Sequence, residues 1–151
     1  GLGDVYKRQL RILSEIATFS QGGFYVSSKT VKNSLDDIKL DLKKAQEAKK
    51  LYKAKEMEIK KLSPYYKYGA FQKNIKDWSS LKEIQNEIIR GKTLKKNFMI
   101  KKDLLKKIKN YLKIEGMDRS LLSLSMVSSI PELRSGLKKA QQKAVSLDSS
   151  G

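Results

Sequence analysis

The sequence predicts an all-α protein: a long helical hairpin with additional helices forming an antiparallel bundle. Apolar residues recur at three- and four-residue intervals along most of the chain, the signature of helices with one buried face. Only nine glycines and two prolines interrupt it, which leaves little room for the many turns of a sandwich or barrel. With 39% hydrophobic and 32% charged residues over 151 positions, the chain is too apolar and too periodic to stay disordered, and one core is the default.

The first helix is expected over Leu10–Phe19, where Leu10, Leu13, Ile16 and Ala17 share a face and Gly22-Gly23 ends the run. The opening GLGDVYKRQ starts with Gly rather than Met and resembles translated adaptor sequence at the ends of environmental assemblies. Residues 1–9 are therefore expected to be non-native, and the uncapped ending SLDSSG fits an internal fragment. Phe24, Tyr25 and Val26 read as a short extended linker. Ser27, Ser28 and Thr30 are candidate N-caps. Residues 1–28 are assigned as N-terminal helix and linker, and 29–151 as the bundle domain.

From Val31 to Leu62 the residues Leu35, Ile38, Leu42, Ala45, Tyr52 and Ile59 follow a heptad seam, interrupted by Lys49 and Glu56, so a hairpin within the chain is expected rather than a long parallel coiled coil. Pro64 closes this helix, and SPYYKYG forms a turn. A return helix is marked by Phe71, Ile75, Trp78, Leu81, Ile84 and Ile88, with a break near Asp77–Ser80 and capping-box spacing between Ser80 and Glu83. Gly91 reads as a helix stop and Thr93 as the next cap. Leu94, Phe98, Leu105, Ile108 and Leu112 then carry a helix to Gly116, with Asp103 a candidate cap for a restart inside it. Asp118 caps a short apolar helix over Leu121–Val127. Ser129, ahead of Pro131 and Glu132, opens the last helix, with Leu133, Leu137, Ala140 and Ala144 on its apolar side. No internal repeat is evident.

Histidine and cysteine are absent, which removes the usual general base, the thiolate nucleophile and thiolate metal sites. The carboxylates Asp36, Asp37, Asp41, Glu56 and Glu58 lie among lysines at i+3 or i+4, such as Asp36 with Lys39, Asp41 with Lys44 and Glu56 with Lys60. They read as surface pairs rather than a metal or catalytic cluster. GKT at 91–93 lacks the earlier glycine and the preceding strand of a phosphate-binding loop. No enzyme activity, metal or cofactor is expected, and no stretch is long and apolar enough to cross a membrane. The compartment is not readable from the sequence.

Charge is the informative feature. Lys and Arg number 33 against 16 Asp and Glu, for a net +17. Lysine dominates the positive charge, and its compact ammonium suits diffuse contact with a polyanion better than base-edge reading. Between Lys92 and Glu115 nine lysines face only Asp103 and Glu115. At 100° per residue, Lys95, Lys102, Lys106, Lys109 and Lys113 fall within about 60° of one another, and Lys96 and Lys107 complete the candidate set. This face is the candidate polyanion-binding site, most simply for nucleic acid without sequence preference. The alternatives are an acidic protein complex, onto which the chain docks as an extrinsic or scaffolding subunit, and peripheral contact with an anionic membrane. Tyr65, Tyr66 and Tyr68 are candidates for base stacking. Aromatics at such a turn more often cap a core, and Phe71 and Trp78 on the apolar stripe are expected to be part of it.

Overall fold

A computed structural model describes residues 1–150. Four α-helices, α1 (Leu2–Gln21), α2 (Leu35–Leu62), α3 (Leu81–Leu112) and α4 (Ile130–Ser150), are joined through 3₁₀ segments at Ser63–Tyr68, Ile75–Asp77 and Arg119–Ser123. There is no strand among the described residues. The protein is an all-α bundle, as its periodicity predicts. It divides into two compact units, Gly1–Ser63 with Lys73–Gln85 and Pro64–Gln72 with Asn86–Gly151.

In the first unit α1 begins at Leu2, ahead of the expected Leu10, and its buried positions are Gln9 and Ile16, with Leu10 and Ala17 exposed rather than on the packed face. Gly22 and Gly23 end it as expected, Gly23 at φ 77°. Gln9 Nε2 donates to the Asn33 carbonyl at 2.8 Å, and Lys49 Nζ lies 5.8 Å from the Phe19 ring centre. Advancing along α1 therefore means advancing along α2, so the two helices run in the same direction. The reversal is made by the linker. Residues 24–30, at up to about 3.3 Å each, span at most about 23 Å, enough to run back from Gln21 to Gln9, about 18 Å of helix, before the turn at 31–33.

Along that return the Phe24 ring meets Tyr52 edge-on at 5.0 Å, and the Tyr25 and Ser27 hydroxyls donate to the Asp41 carboxylate. Asp41 is thus buried and structural, not the surface partner of Lys44. The N-cap of α2 is Ser34, whose Oγ accepts from Asp37 N, and Val31 lies in the turn before it. The heptad residues sit on the packed side, with Ile38 and Ala45 fully buried and joined there by Leu62, Trp78 and Ile84.

The return helix starts at Leu81, not near Phe71. Gly69 turns the chain at φ 102°, and residues 70–74 are non-helical before the 3₁₀ turn. Phe71 is 57% exposed under the Arg90 guanidinium, 4.3 Å from its ring centre, rather than in the core. Ser80 caps α3 by accepting from Glu83 N, and Glu83 reaches back to Ser79 N and Oγ.

Helix α3 runs without a break through Gly91 and Asp103, against the expected stop and restart. Gly91 is buried, and a Cβ there would lie 2.6 Å from Tyr65 Cβ. The glycine permits close packing inside a helix; it does not end one. Thr93 caps nothing, and its hydroxyl donates back to the Ile89 carbonyl at 3.4 Å.

The core of the second unit joins Leu104, Ile108, Met117, Leu121, Leu133 and Ala140. Lys101 Nζ reaches the Met126 carbonyl at 3.2 Å, while Tyr111 and Ile114 line a cleft with Gln141, Ala144 and Leu147. Helices α3 and α4 thus also run in the same direction. Residues 113–129 make the return, including a 3₁₀ turn capped by Asp118, in place of the expected α-helix over Leu121–Val127. Ser129 caps α4 through Glu132 N, as expected.

These features recur at one interval. Gln9, Lys55 and Lys101 are 46 residues apart, and each donates a side-chain N–H to a backbone carbonyl just ahead of the next helix, at Asn33, Trp78 and Met126. Ile16, Leu62 and Ile108 share the spacing, and all are buried. The positive-φ residues among the described ones are Gly23, Gly69 and Gly116, each a few residues past that buried position. The capping serines Ser34, Ser80 and Ser129 follow, then buried Ile38, Ile84 and Leu133.

Next come Asp41, Glu87 and Gly136, each meeting its own preceding return segment. Asp41 does so through Tyr25 and Ser27, Glu87 through Phe71 N at 2.7 Å, and Gly136 against Leu124. Contrary to the sequence reading, the chain contains a repeat: one helix and one return segment every 46 to 49 residues.

Candidate polyanion-binding face

The lysine face is carried by the second unit's stretch of α3. Leu104 and Ile108 turn one side of that helix into the core. Helical geometry then sends Lys95, Lys102, Lys106, Lys109 and Lys113 to the opposite side, where all are exposed, as are Lys96 and Lys107. Six of the seven lie within α3, and Lys113 follows its last residue.

Local charge compensation is slight. Lys107 Nζ pairs with Asp103 at 3.1 Å, both well exposed. Lys95, Lys96, Lys102, Lys106, Lys109 and Lys113 make no hydrogen bond or ion pair among the described residues. Lys101 is different: it is half-buried and holds Met126, so its charge serves packing. The signal that separates it from its neighbours is its 46-residue spacing from Gln9 and Lys55, which emerges only once the packing is known.

The register also shows what this face owes to the fold. Lys102, Lys106 and Lys109 lie 92 residues after Leu10, Ser14 and Ala17, as Lys101 does after Gln9 and Ile108 after Ile16. In α1 those three positions carry no charge, whereas in α2 they are Glu56, Lys60 and the C-cap Ser63. Lysine there is not a requirement of the packing.

The tyrosines lie on the same unit but are engaged in packing. Tyr65 covers Gly91, and Tyr68 meets Phe98 edge-on, with ring centres 5.2 Å apart and planes at 60°. All three are half-buried, and burial raises the pKa of Tyr66. Residues at this point of the repeat fix the turn against the following helix, as Phe24 does on Tyr52.

Two carboxylates of this unit are also tied down. Glu87 is buried and receives Arg90 Nε and one terminal nitrogen, each at 2.8 Å, which raises the pKa of the guanidinium. Asp118 is held below the usual carboxylate range by the Ser120 backbone N–H, with Lys139 and Lys143 adding smaller contributions. Among the described residues no group of three His, Cys, Asp or Glu could hold a metal ion, and no helix is long and apolar enough to cross a membrane.

The chain matches no protein-family model, no curated protein and no solved structure.

Proposed function

We propose that this chain is a non-catalytic helical-repeat protein that binds nucleic acid through its phosphate backbone, without sequence preference, using Lys95, Lys96, Lys102, Lys106, Lys107, Lys109 and Lys113. The observation that carries the reading is a row of solvated lysines on one side of α3, Lys95, Lys102, Lys106, Lys109 and Lys113, none of them ion-paired among the described residues and three of them at positions where α1 carries Leu10, Ser14 and Ala17. Like charges at i,i+3 and i,i+4 each oppose the helix by about 0.2–0.5 kcal/mol. A phosphate backbone laid along them removes that penalty and releases condensed counterions. Lysine rather than arginine favours non-specific over base-reading contact.

The test is binding of a mixed-sequence DNA duplex, followed by fluorescence anisotropy from about 50 to about 200 mM salt. Expected are affinity that falls steeply with salt, little change when the sequence is permuted, and a shallower salt slope after Lys102, Lys106 and Lys109 are changed to Gln. A wild-type protein that does not bind at the lower salt, or binds independently of salt, sinks the reading. Retention of an acidic protein after nuclease treatment, without duplex binding, would favour the extrinsic-subunit alternative instead.

A further inference from the structure

The repeat register allows α2 and α3 to be compared position by position. Buried positions keep their role, which packing explains: Ile38 with Ile84, Ala45 with Gly91, Leu62 with Ile108. Exposed positions drift, as in Glu47 to Thr93, Lys53 to Met99, Met57 to Asp103 and Ser63 to Lys109. The exposed residues that do not drift are the capping Ser34 and Ser80 and five lysines, Lys49/Lys95, Lys50/Lys96, Lys60/Lys106, Lys61/Lys107 and Lys67/Lys113, each pair 46 residues apart. Packing does not ask for a solvated lysine, and neighbouring lysines weaken a helix.

The local setting recurs too. Lys61 pairs with Glu58 at 3.1 Å, and Lys107 with Asp103 at 3.1 Å, although the two carboxylates occupy different register positions. Within each helix the two Lys-Lys doublets are eleven residues apart, about three turns and about 16 Å, so they project from the same side.

We propose that Lys49, Lys50, Lys60 and Lys61 on α2 form a second row contacting phosphate backbone, equivalent to Lys95, Lys96, Lys106 and Lys107 on α3, so that the repeat multiplies one polyanion contact. The proposal rests on the reading of the α3 face as nucleic-acid-binding. The Lys49 ammonium lies 5.8 and 5.5 Å from the Phe19 and Phe24 ring centres, a cation–π setting that orients the side chain, and the residue as a whole is exposed.

The experiment compares two fourfold Lys→Gln variants, one in each row, for binding of the mixed-sequence duplex across the same salt range. Each phosphate contact contributes about 0.9 to the slope of log affinity against log salt, so each variant is expected to lower that slope by about 2 to 4. An α2 variant with the wild-type slope beside an α3 variant with a reduced one overturns this proposal and leaves the α3 reading standing. The opposite pattern overturns the α3 reading, and a wild-type protein that does not bind overturns both. A Lys→Arg version of the α2 row, which keeps the charge, should bind like wild type. Loss of binding there would mean the Gln variant reported on folding rather than phosphate contact, and would also defeat the proposal. Binding to anionic phospholipid vesicles but not to duplex would do the same.

Discussion

The Nζ of Lys101 donates to the Met126 backbone carbonyl at 3.2 Å and so pins the end of one return segment to the helix that precedes it. Gln9 on Asn33 and Lys55 on Trp78 do the same in the first unit. A lone carbonyl left without its donor in a half-buried site costs about 1–3 kcal/mol. Lys101→Met should therefore lower the unfolding free energy by that order, whereas Lys102→Met, one residue on and exposed, should change it by less than about 0.5 kcal/mol. Equal effects in urea titration would contradict the distinction.

Gly91 and Tyr65 provide a steric test. At the equivalent positions, Ala45 and Ala140 carry a Cβ without difficulty, but at Gly91 it would lie 2.6 Å from Tyr65 Cβ. In an open helix Gly→Ala stabilises by about 1 kcal/mol. Here overpacking costs about 1–3 kcal/mol, so Gly91→Ala should be destabilising overall. A raised thermal midpoint for that variant would refute the close contact.

The lysine face sets stability against binding. Lys102 with Lys106, Lys106 with Lys109 and Lys109 with Lys113 are like-charge pairs at i,i+4 or i,i+3, together opposing the helix by about 1 kcal/mol. Changing Lys106 and Lys109 to Gln should raise the thermal midpoint in low salt and weaken duplex binding, and added salt should erase the gain in stability. A variant that loses binding and stability together would point to a structural role for these side chains.

The start of α3 should be acid-sensitive. Hydrogen bonds from the Ser79 hydroxyl and backbone N–H, and from Lys73 at 3.1 Å, hold the Glu83 carboxyl down to about 2 from an ordinary 4.5. Because the folded-state value is depressed, the contribution is complete above about 4.5 and is lost as pH falls toward about 2. Helicity of wild type and Glu83→Gln measured between neutral pH and pH ~2 should differ at the upper end and converge at the lower. Curves separated by a constant amount would contradict this assignment.

Much of the fold was legible because it is written locally. The all-α class, the stop at Gly22-Gly23, the end of α2 ahead of Pro64, the caps at Ser80 and Ser129 and the exposed lysine row all depend on residues within a turn or two of one another. One sequence-level sign of the repeat is the segment LKKAQ at 42–46, which returns at 137–141.

The remainder depends on contacts across tens of residues. Gly91 signals a helix stop by propensity, but Tyr65 makes it a packing position, and only the fold brings the two together. Phe71 fits the apolar period yet lies outside because the helix starts ten residues later, at Leu81. The repeat was hidden because its roles outlast its residues: the clamp is Gln, Lys, Lys, and the residue that meets the return segment is Asp, Glu, Gly. The sequence by itself determined the all-α class, several helix caps and ends, and where positive charge reaches solvent, because these follow from nearest neighbours along the chain. The tertiary structure decided that helices paired within each unit run in the same direction and which lysines serve packing, because those outcomes depend on which distant backbone carbonyls and small residues come within reach.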